Sequence, residues 1–252
     1  STQPMDSIET YRLFLTRKAW HSDRMIKALR DFFTRISTGL SVKHLEIPAM
    51  TTILHIDSSI LGGYSVSRTL TAEIVAKQEA LHPGARVIRR DLVVDAAMHL
   101  SDAHMAVFQG GEVGNAALGQ DLATGGAYID DLFAADIIVI GAPMYNFTVP
   151  TQLKGWIDRV CVAGRTFQYG ANGPEGLVKG KKVFVASARG GVYTGDSPAA
   201  GLDHQETYLL GVLAFIGLTD VTIIRAEGLA LGEDAKAAAV SGAKAQIEAL
   251  AA

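Results

Sequence analysis

Residues Asp57 to Arg68 read DSSILGGYSVSR, a run of hydroxyls and glycines between an apolar stretch and the start of a helical pattern. Backbone N–H groups at a helix start lack intrahelical partners, and the helix dipole is positive there, so such a junction stabilises a phosphate dianion. Ser59, Ser65 and Ser67 add hydroxyl donors. Gly62 and Gly63 let the chain turn sharply and turn its amides toward a ligand. The plain alternative is an N-cap, since Ser commonly opens a helix with no ligand involved.

A second segment, Asp136 to Lys154 (DIIVIGAPMYNFTVPTQLK), ends an apolar run in a proline-bounded loop holding Met144, Tyr145, Asn146 and Phe147. Apolar surface beside amide groups suits a flat heteroaromatic ring with a polar edge. The same residues would serve equally well as strand-end packing. A third segment, SARGGVY from Ser187 to Tyr193, again follows an apolar run, with Gly190 and Gly191 permitting close approach of backbone to ligand and Arg189 adding a cation. Alone, a Gly-Gly there is an ordinary turn.

What unites the three is the framework that must carry them. From Thr51 onward short apolar runs alternate with helical patterns, which predicts an α/β domain with a parallel sheet covered on both faces. Strands are expected at Thr52 to Asp57, Arg86 to Arg89, Asp136 to Gly141, Lys182 to Ser187 and Val221 to Arg225. Helices are expected at Ser67 to Leu81, Ala127 to Ala134, Thr151 to Ala163, His204 to Ile216 and Glu233 to Leu250. This is a flavodoxin-like count of elements. Leu100 to Gly126, rich in glycine, reads as a surface excursion. In an open α/β sheet the ligand crevice lies at the carboxyl ends of strands where the order reverses, and the three segments follow the first, third and fourth strands. They are expected to converge on one site.

Other signals are weaker. No G-x-G-x-x-G follows the first strand, and neither G-x-x-x-x-G-K-[ST] nor G-x-S-x-G occurs, which removes support for a dinucleotide dehydrogenase, a P-loop NTPase and an α/β-hydrolase. His99 and His104 lack a ligand cluster, so no metal site is expected, and both read as solvated loop residues. His55 reads as a satisfied interior histidine, Cys161 as a core residue in a helix, and Asp130 with Asp131 as a solvent-facing pair. One cysteine excludes an internal disulfide framework, and a net charge of -3 gives no general attraction to nucleic acid or to an anionic bilayer. No apolar run reaches the roughly eighteen residues of a membrane span, and the amino end lacks a secretory signal pattern, so a cytoplasmic protein without a membrane or nucleic-acid partner is expected.

The chain changes character near Met50. Residues 1–50 carry eight Lys or Arg against five Asp or Glu, and the remainder fifteen against twenty-one. Tyr11, Leu15, Ile26, Leu29, Phe33 and Ile36 fall roughly at helical spacing, giving one or two basic amphipathic helices. A packing arm is the favoured reading of residues 1–50; an organelle-targeting or membrane-surface segment, weakened by the scattered acids, and a start placed too far upstream of Met50 are the others. The division expected is an extension, 1–50, followed by one domain, 51–252.

Taken in order, SSILGGYSVS, APMYNF, TFQYGANGPEGLVKGKK, RGG and LAFIGLTDV resemble the FMN-dependent NADH azoreductases, a family related to quinone reductases and flavodoxins. The resemblance spans Thr51 to Ala252 and implies a flavodoxin-like fold with a five-stranded parallel sheet in the order 2-1-3-4-5. It further implies that Ser59, Ser65, Val66 and Ser67 hold the FMN phosphate and ribityl chain. Met144, Tyr145, Asn146 and Phe147 would line the isoalloxazine ring, chiefly through backbone groups. Ala188, Arg189, Gly190 and Gly191 would close its pyrimidine edge, with Asn146 and Arg189 polarising it. Members often carry serine where this chain has Ala188, so a hydroxyl contact is lost or passes to Ser187. Tyr169 and Phe215 align with aromatics that flank the substrate. No catalytic side chain is implied, because flavin N5 takes hydride from NADH or NADPH and returns electron pairs to quinones or azo compounds in a ping-pong cycle. A homodimer with substrate contacts from both chains is implied as well. A flavodoxin-like electron carrier is the competing class; such carriers are usually strongly acidic, and this chain is not.

Overall fold

A computed structural model describes residues 50–251, so the helices expected between Ile8 and Ile36 lie outside the described residues. The main sheet contains β1 (Thr52–Asp57), β2 (Arg86–Asp91), β3 (Ile137–Pro143), β6 (Lys182–Ala188) and β7 (Asp220–Ala226), all parallel, in the order β2-β1-β3-β6-β7. This is the expected order of five strands. Only the numbering changes, because an antiparallel hairpin, β4 (Phe167–Gly170) with β5 (Gly173–Gly176), intervenes.

Six helices accompany the sheet in the described residues: α1 (Val66–Leu81), α2 (Asp102–Phe108), α3 (Ala116–Ala134), α4 (Thr151–Val160), α5 (Glu206–Ile216) and α6 (Glu233–Glu248). Successive side chains on a strand point to opposite faces, and the central strands are apolar on both. Ile53 and Val139 pack with Leu70 and Ile74 of α1 and Ile247 of α6. Leu54, Ile56, Ile138 and Ile140 pack on the other face with Tyr128 of α3, Trp156 of α4 and Leu213 of α5. β3 is buried along its whole length, which explains why it reads as an unbroken apolar run rather than an alternating one. Among the described residues no helix is long and apolar enough to cross a membrane, and no group of metal-binding side chains occurs.

Leu100 to Gly126 differs from the expected excursion, since it contains α2 and the first half of α3. Asn115 caps α3, its side chain accepting the Leu118 N–H at 2.9 Å. The Gly125-Gly126 pair that reads as a break lies inside the helix. A Cβ at Gly125 would stand 3.0 Å from Arg159 Cδ, so the glycine lets α3 approach α4 closely. His104 is correspondingly not a solvated loop residue but a buried one, 1% exposed. Its Nδ1 accepts the Ser101 N–H at 3.2 Å, which assigns the proton to Nε2, 3.0 Å from Asp121 Oδ2. Arg159 donates to the same carboxylate at 2.7 Å and to Met98 O at 2.5 Å. Burial pushes the Asp121 carboxyl up, but the Met98 amide, His104 and Arg159 outweigh it and hold the group below its ordinary value.

The hairpin presses on the end of α5. Gly176 leaves no room for a side chain, because a Cβ there would lie 2.1 Å from Gly217 N. Gly217 in turn caps α5 with a φ of 106°, a conformation that favours glycine. Three smaller expectations are also adjusted. Cys161 sits at the carboxyl end of α4, half-buried, and burial pushes its thiol up to about 11. Asp130 is exposed, whereas Asp131 is half-buried and accepts Arg90 Nε at 2.6 Å. His55 is interior, with Nε2 3.2 Å from Asp57 Oδ2, but neither ring nitrogen has a well-directed hydrogen bond among the described residues.

Candidate active site

The loops after β1, β3 and β6 touch one another in sequence across the carboxyl edge of the sheet. Ser58 Oγ donates to Gly141 O at 2.6 Å, tying the first loop to β3. The hydroxyls of Ser59 and Tyr145 lie 3.2 Å apart, and the Ile60 N–H reaches Tyr145 Oη at 3.3 Å. Met144 N–H donates to Ala188 O at 2.8 Å, joining the second loop to the third, and the Phe147 and Tyr193 rings meet edge to face with centroids 6.2 Å apart. The structure therefore brings the three strand-end loops together, with Ser59 against Tyr145 and Met144 against Ala188.

The first loop gathers neutral donors at a helix start. Ser65 caps α1, accepting the Arg68 N–H at 3.3 Å, and its hydroxyl lies 3.0 Å from that of Ser67. Ser59, Ser65 and Ser67 are buried while Ile60, Leu61 and Tyr64 stand exposed around them. The turn between is a single 3-10 segment, Gly62–Tyr64, in which Gly62 has a φ of 52°. Val66 is the first residue of α1, so its N–H is one of those without an intrahelical acceptor. The Arg68 side chain is turned away from this pocket. Its Nη1 and Nη2 pair with both oxygens of Asp91 at 2.8 and 2.7 Å, and Nε and Nη2 hold Ser59 O at 3.0 and 2.8 Å. The bond to Arg68 holds the Asp91 carboxyl below its ordinary range, and that same bond raises the guanidinium.

The second loop is a tight turn. Tyr145 and Thr148 exchange backbone hydrogen bonds of 3.0 and 3.1 Å, and Asn146 and Phe147 between them have φ of 48° and 69°. Positive φ at both central residues is the signature of a type I′ turn, and a phenylalanine there is strained. Such strain persists where the surroundings over-determine it; here His204 N–H donates to Phe147 O at 3.1 Å, while Val149 and Pro150 are buried. Since the N–H groups of Met144 and Tyr145 are used within the protein, the exposed tip residues Asn146 and Phe147 are the ones turned to solvent. Beneath the turn lies a cavity of about 310 Å³ lined by Ile60, Tyr145, Asn146 and Gln152 among others.

The third loop corrects one expectation. Arg189 presents no cation to a ligand, because its side chain is fully buried and its guanidinium lies 3.0, 2.5 and 3.1 Å from Asp203, Glu206 and Glu227. Nε also donates to Gln205 Oε1 at 3.0 Å. The residue works inward, and Glu227 transmits its effect: that carboxylate accepts the Tyr193 N–H at 2.8 Å and the Thr194 hydroxyl at 2.5 Å. Ala188 is buried and its carbonyl is taken by Met144, while Ser187 Oγ accepts Arg189 Nε at 3.1 Å, so neither supplies a hydroxyl to the crevice.

Tyr169 and Phe215 are not brought to this crevice within the chain. They meet through Phe167, whose ring lies 5.6 Å from Tyr169 and 4.5 Å from Phe215. Glu206 starts α5 beside Arg189, and Phe215 falls nine residues later, about 13 Å along a helix that rises 1.5 Å per residue. Arg68, Asp91, Gln205 and Glu227 are the site residues that sequence reasoning missed. Only Arg68, three places after the capping Ser65, carried even a positional hint.

A larger cavity, about 440 Å³, lies at the opposite end of the strands among Thr51, Asp136, Lys182 and Asp220. Size does not decide between them. Ligands of open α/β sheets bind at the carboxyl ends at the switch point, here between β1 and β3, and only that end gathers helix-start amides, buried hydroxyls and a strained turn.

The fold and crevice define an open, doubly wound α/β protein with a ligand site at its switch point. The sequence profile described as a flavodoxin-like fold matches residues 51–251. A Bradyrhizobium sp. protein named FMN-dependent NADH:quinone oxidoreductase is 53% identical over 192 residues, covering 76% of this chain and 95% of the relative. A protein of the same name from Sinorhizobium fredii is 55% identical over 76% of this chain and 93% of its own length. Among solved structures, an azoreductase from Bacillus anthracis is 26% identical with a TM-score of 0.70, covering 79% of this chain and 97% of its own. The chain belongs to the FMN-dependent NADH:quinone oxidoreductase family within the flavodoxin-like fold.

Proposed function

We propose that residues 51–252 form an FMN-dependent reductase that takes electrons from NADH and delivers them in pairs to quinones and aromatic azo compounds, and that residues 1–50 are a separate extension. The observation that carries this reading is the convergence of three strand-end loops on one crevice in a chain more than half identical to named NADH:quinone oxidoreductases. The residues present fit FMN. Buried hydroxyls of Ser59, Ser65 and Ser67 and the Val66 N–H offer neutral donors to a dianion at a helix start. Met144 and Tyr145 supply side-chain surface for the ring, the tip residues Asn146 and Phe147 supply the free amides, and Gly190 and Gly191 let backbone approach its polar edge.

Bound FMN supplies hydride acceptance and two-electron donation, so no side chain need act as nucleophile, acid or base. The protein's part is placement. The α1 start and serines fix the phosphate, the Tyr145–Thr148 turn presents Asn146 and Phe147, and the Arg189–Glu227 pair holds the Tyr193 loop against Phe147. Donor and acceptor would use the same open face in turn.

Tyr169 and Phe215, remote from the crevice of their own chain, flank substrate only if a second copy brings them to its partner's crevice, which is the support for a homodimer. A cytoplasmic location belongs to the same reading, in keeping with a single cysteine and an NADH donor. The test is the absorbance spectrum of the purified full chain: FMN near one per chain supports the proposal, and failure to retain FMN after reconstitution ends it.

A further inference from the structure

A cation in the first turn of a helix whose amides face a phosphate would, on charge alone, serve as that phosphate's counter-ion. Arg68 stands at that place, yet its donors are committed elsewhere. Two reach Ser59 O, at 3.0 and 2.8 Å, and two reach Asp91 at the end of β2, at 2.8 and 2.7 Å, while Nη1 also lies 3.6 Å from Asp57 Oδ2. Asp91 is itself steadied by the Val93 N–H at 3.1 Å.

The pinned atom matters because the peptide is planar and trans. With the Ser59 carbonyl directed at Arg68, the N–H of the same peptide unit, that of Ile60, must point the opposite way. It points into the crevice, where it meets Tyr145 Oη at 3.3 Å beside the Ser59 hydroxyl at 3.2 Å from the same oxygen. One tyrosine oxygen thus accepts the Ile60 N–H and lies within hydrogen-bond reach of the Ser59 hydroxyl at the mouth of the serine loop, where a phosphate oxygen would find both groups.

We propose that Arg68 is a positioning residue of the cofactor site, which with Asp91 clamps the Ser59 carbonyl so that the Ile60 N–H and Ser59 hydroxyl face the crevice as phosphate donors, their place held by the Tyr145 hydroxyl. The inference rests on the reading that the FMN phosphate enters this loop. It makes Asp91, on a different strand and remote from any ligand, a determinant of cofactor affinity. It also makes the arginine irreplaceable by lysine, since an ammonium cannot hold a carbonyl and both oxygens of a carboxylate in one plane.

The experiment is a titration of FMN and of riboflavin into the flavin-free full chain, for the unaltered protein, Arg68→Lys and Asp91→Asn. Clamping and counter-ion roles predict opposite signs. If Arg68 positions, both variants bind FMN about tenfold or more weakly, as for a lost charge-assisted contact, while riboflavin affinity stays within about twofold. A counter-ion role predicts that Arg68→Lys keeps FMN affinity and that Asp91→Asn, by releasing the cation, tightens it; either result overturns the proposal. A general loosening would weaken both flavins equally in Asp91→Asn, and that too overturns it. Should the unaltered protein bind riboflavin as tightly as FMN, the phosphate reading itself fails, and the clamp with it.

Discussion

Two arginines flank the crevice, and both direct their side chains into the protein. Arg68 lies at the rim with its side chain 19% exposed, holding one carbonyl and one carboxylate, whereas Arg189 is at 0% and surrounded by three carboxylates. Each ties a loop to another element, Arg68 through Ser59 O and Asp91 and Arg189 through Glu227. Their surroundings set very different stakes. An ion pair at the rim exchanges its partner for water at little cost, but a buried cation leaves its carboxylates in a medium that cannot solvate them.

That contrast orders the expected effects. Arg189→Met strands Asp203, Glu206 and Glu227, with only Arg225, paired to Glu206 at 2.9 and 2.7 Å, left to compensate. A loss of about 3–5 kcal/mol of unfolding free energy is expected, read as a fall in the urea midpoint. Glu227→Gln keeps oxygen for the Tyr193 N–H but removes one charge from Arg189, so about 1–3 kcal/mol is expected, with proteolytic nicking of residues 190–194 appearing first. Arg68→Met should cost less, about 1–2 kcal/mol, because its partners Asp91 and Ser59 O are only part-buried and water can replace the guanidinium. A urea midpoint as low as that of Arg189→Met would show that burial is not what separates the two.

Acid sharpens the same comparison. Asp91 titrates below its ordinary 3.8 in the folded chain because of the Arg68 hydrogen bond. Its contribution is therefore complete above the unfolded value and lost as pH falls through the folded one. The stability gap between the unaltered protein and Asp91→Asn should hold at neutral pH and close on acidification below about pH 4; a gap that widens in acid would reverse the assignment. At the bottom of the scale, Lys154 and Asp158 form an exposed i,i+4 pair on α4, and Lys154→Ala should change stability by about 0.3–0.5 kcal/mol.

Much of this was legible beforehand where one period of side-chain pattern dominates. β3 is apolar throughout and β6 nearly so, Lys182 and Ser187 excepted, because both faces are covered, and the helix after Ser65 begins within one residue of its expected start. The Leu100–Gly126 region was not, because Gly125 marks a close helix crossing instead of a break, and that meaning depends on Arg159 from α4. The β4–β5 hairpin was missed for a similar reason: its Gly176 makes room for Gly217, far along the chain. At the site, loops and backbone turns could be read from local composition. Which way Arg68 and Arg189 point could not, since it is fixed by Asp91, Asp203 and Glu227 on other elements.

The most direct test of the account is anaerobic mixing of the FMN-loaded full chain with NADH, followed by a quinone, while flavin absorbance is recorded. The account predicts that the oxidised flavin band bleaches on NADH addition and returns when the quinone is added. A band that persists in excess NADH would contradict it and leave an electron carrier built on the same fold.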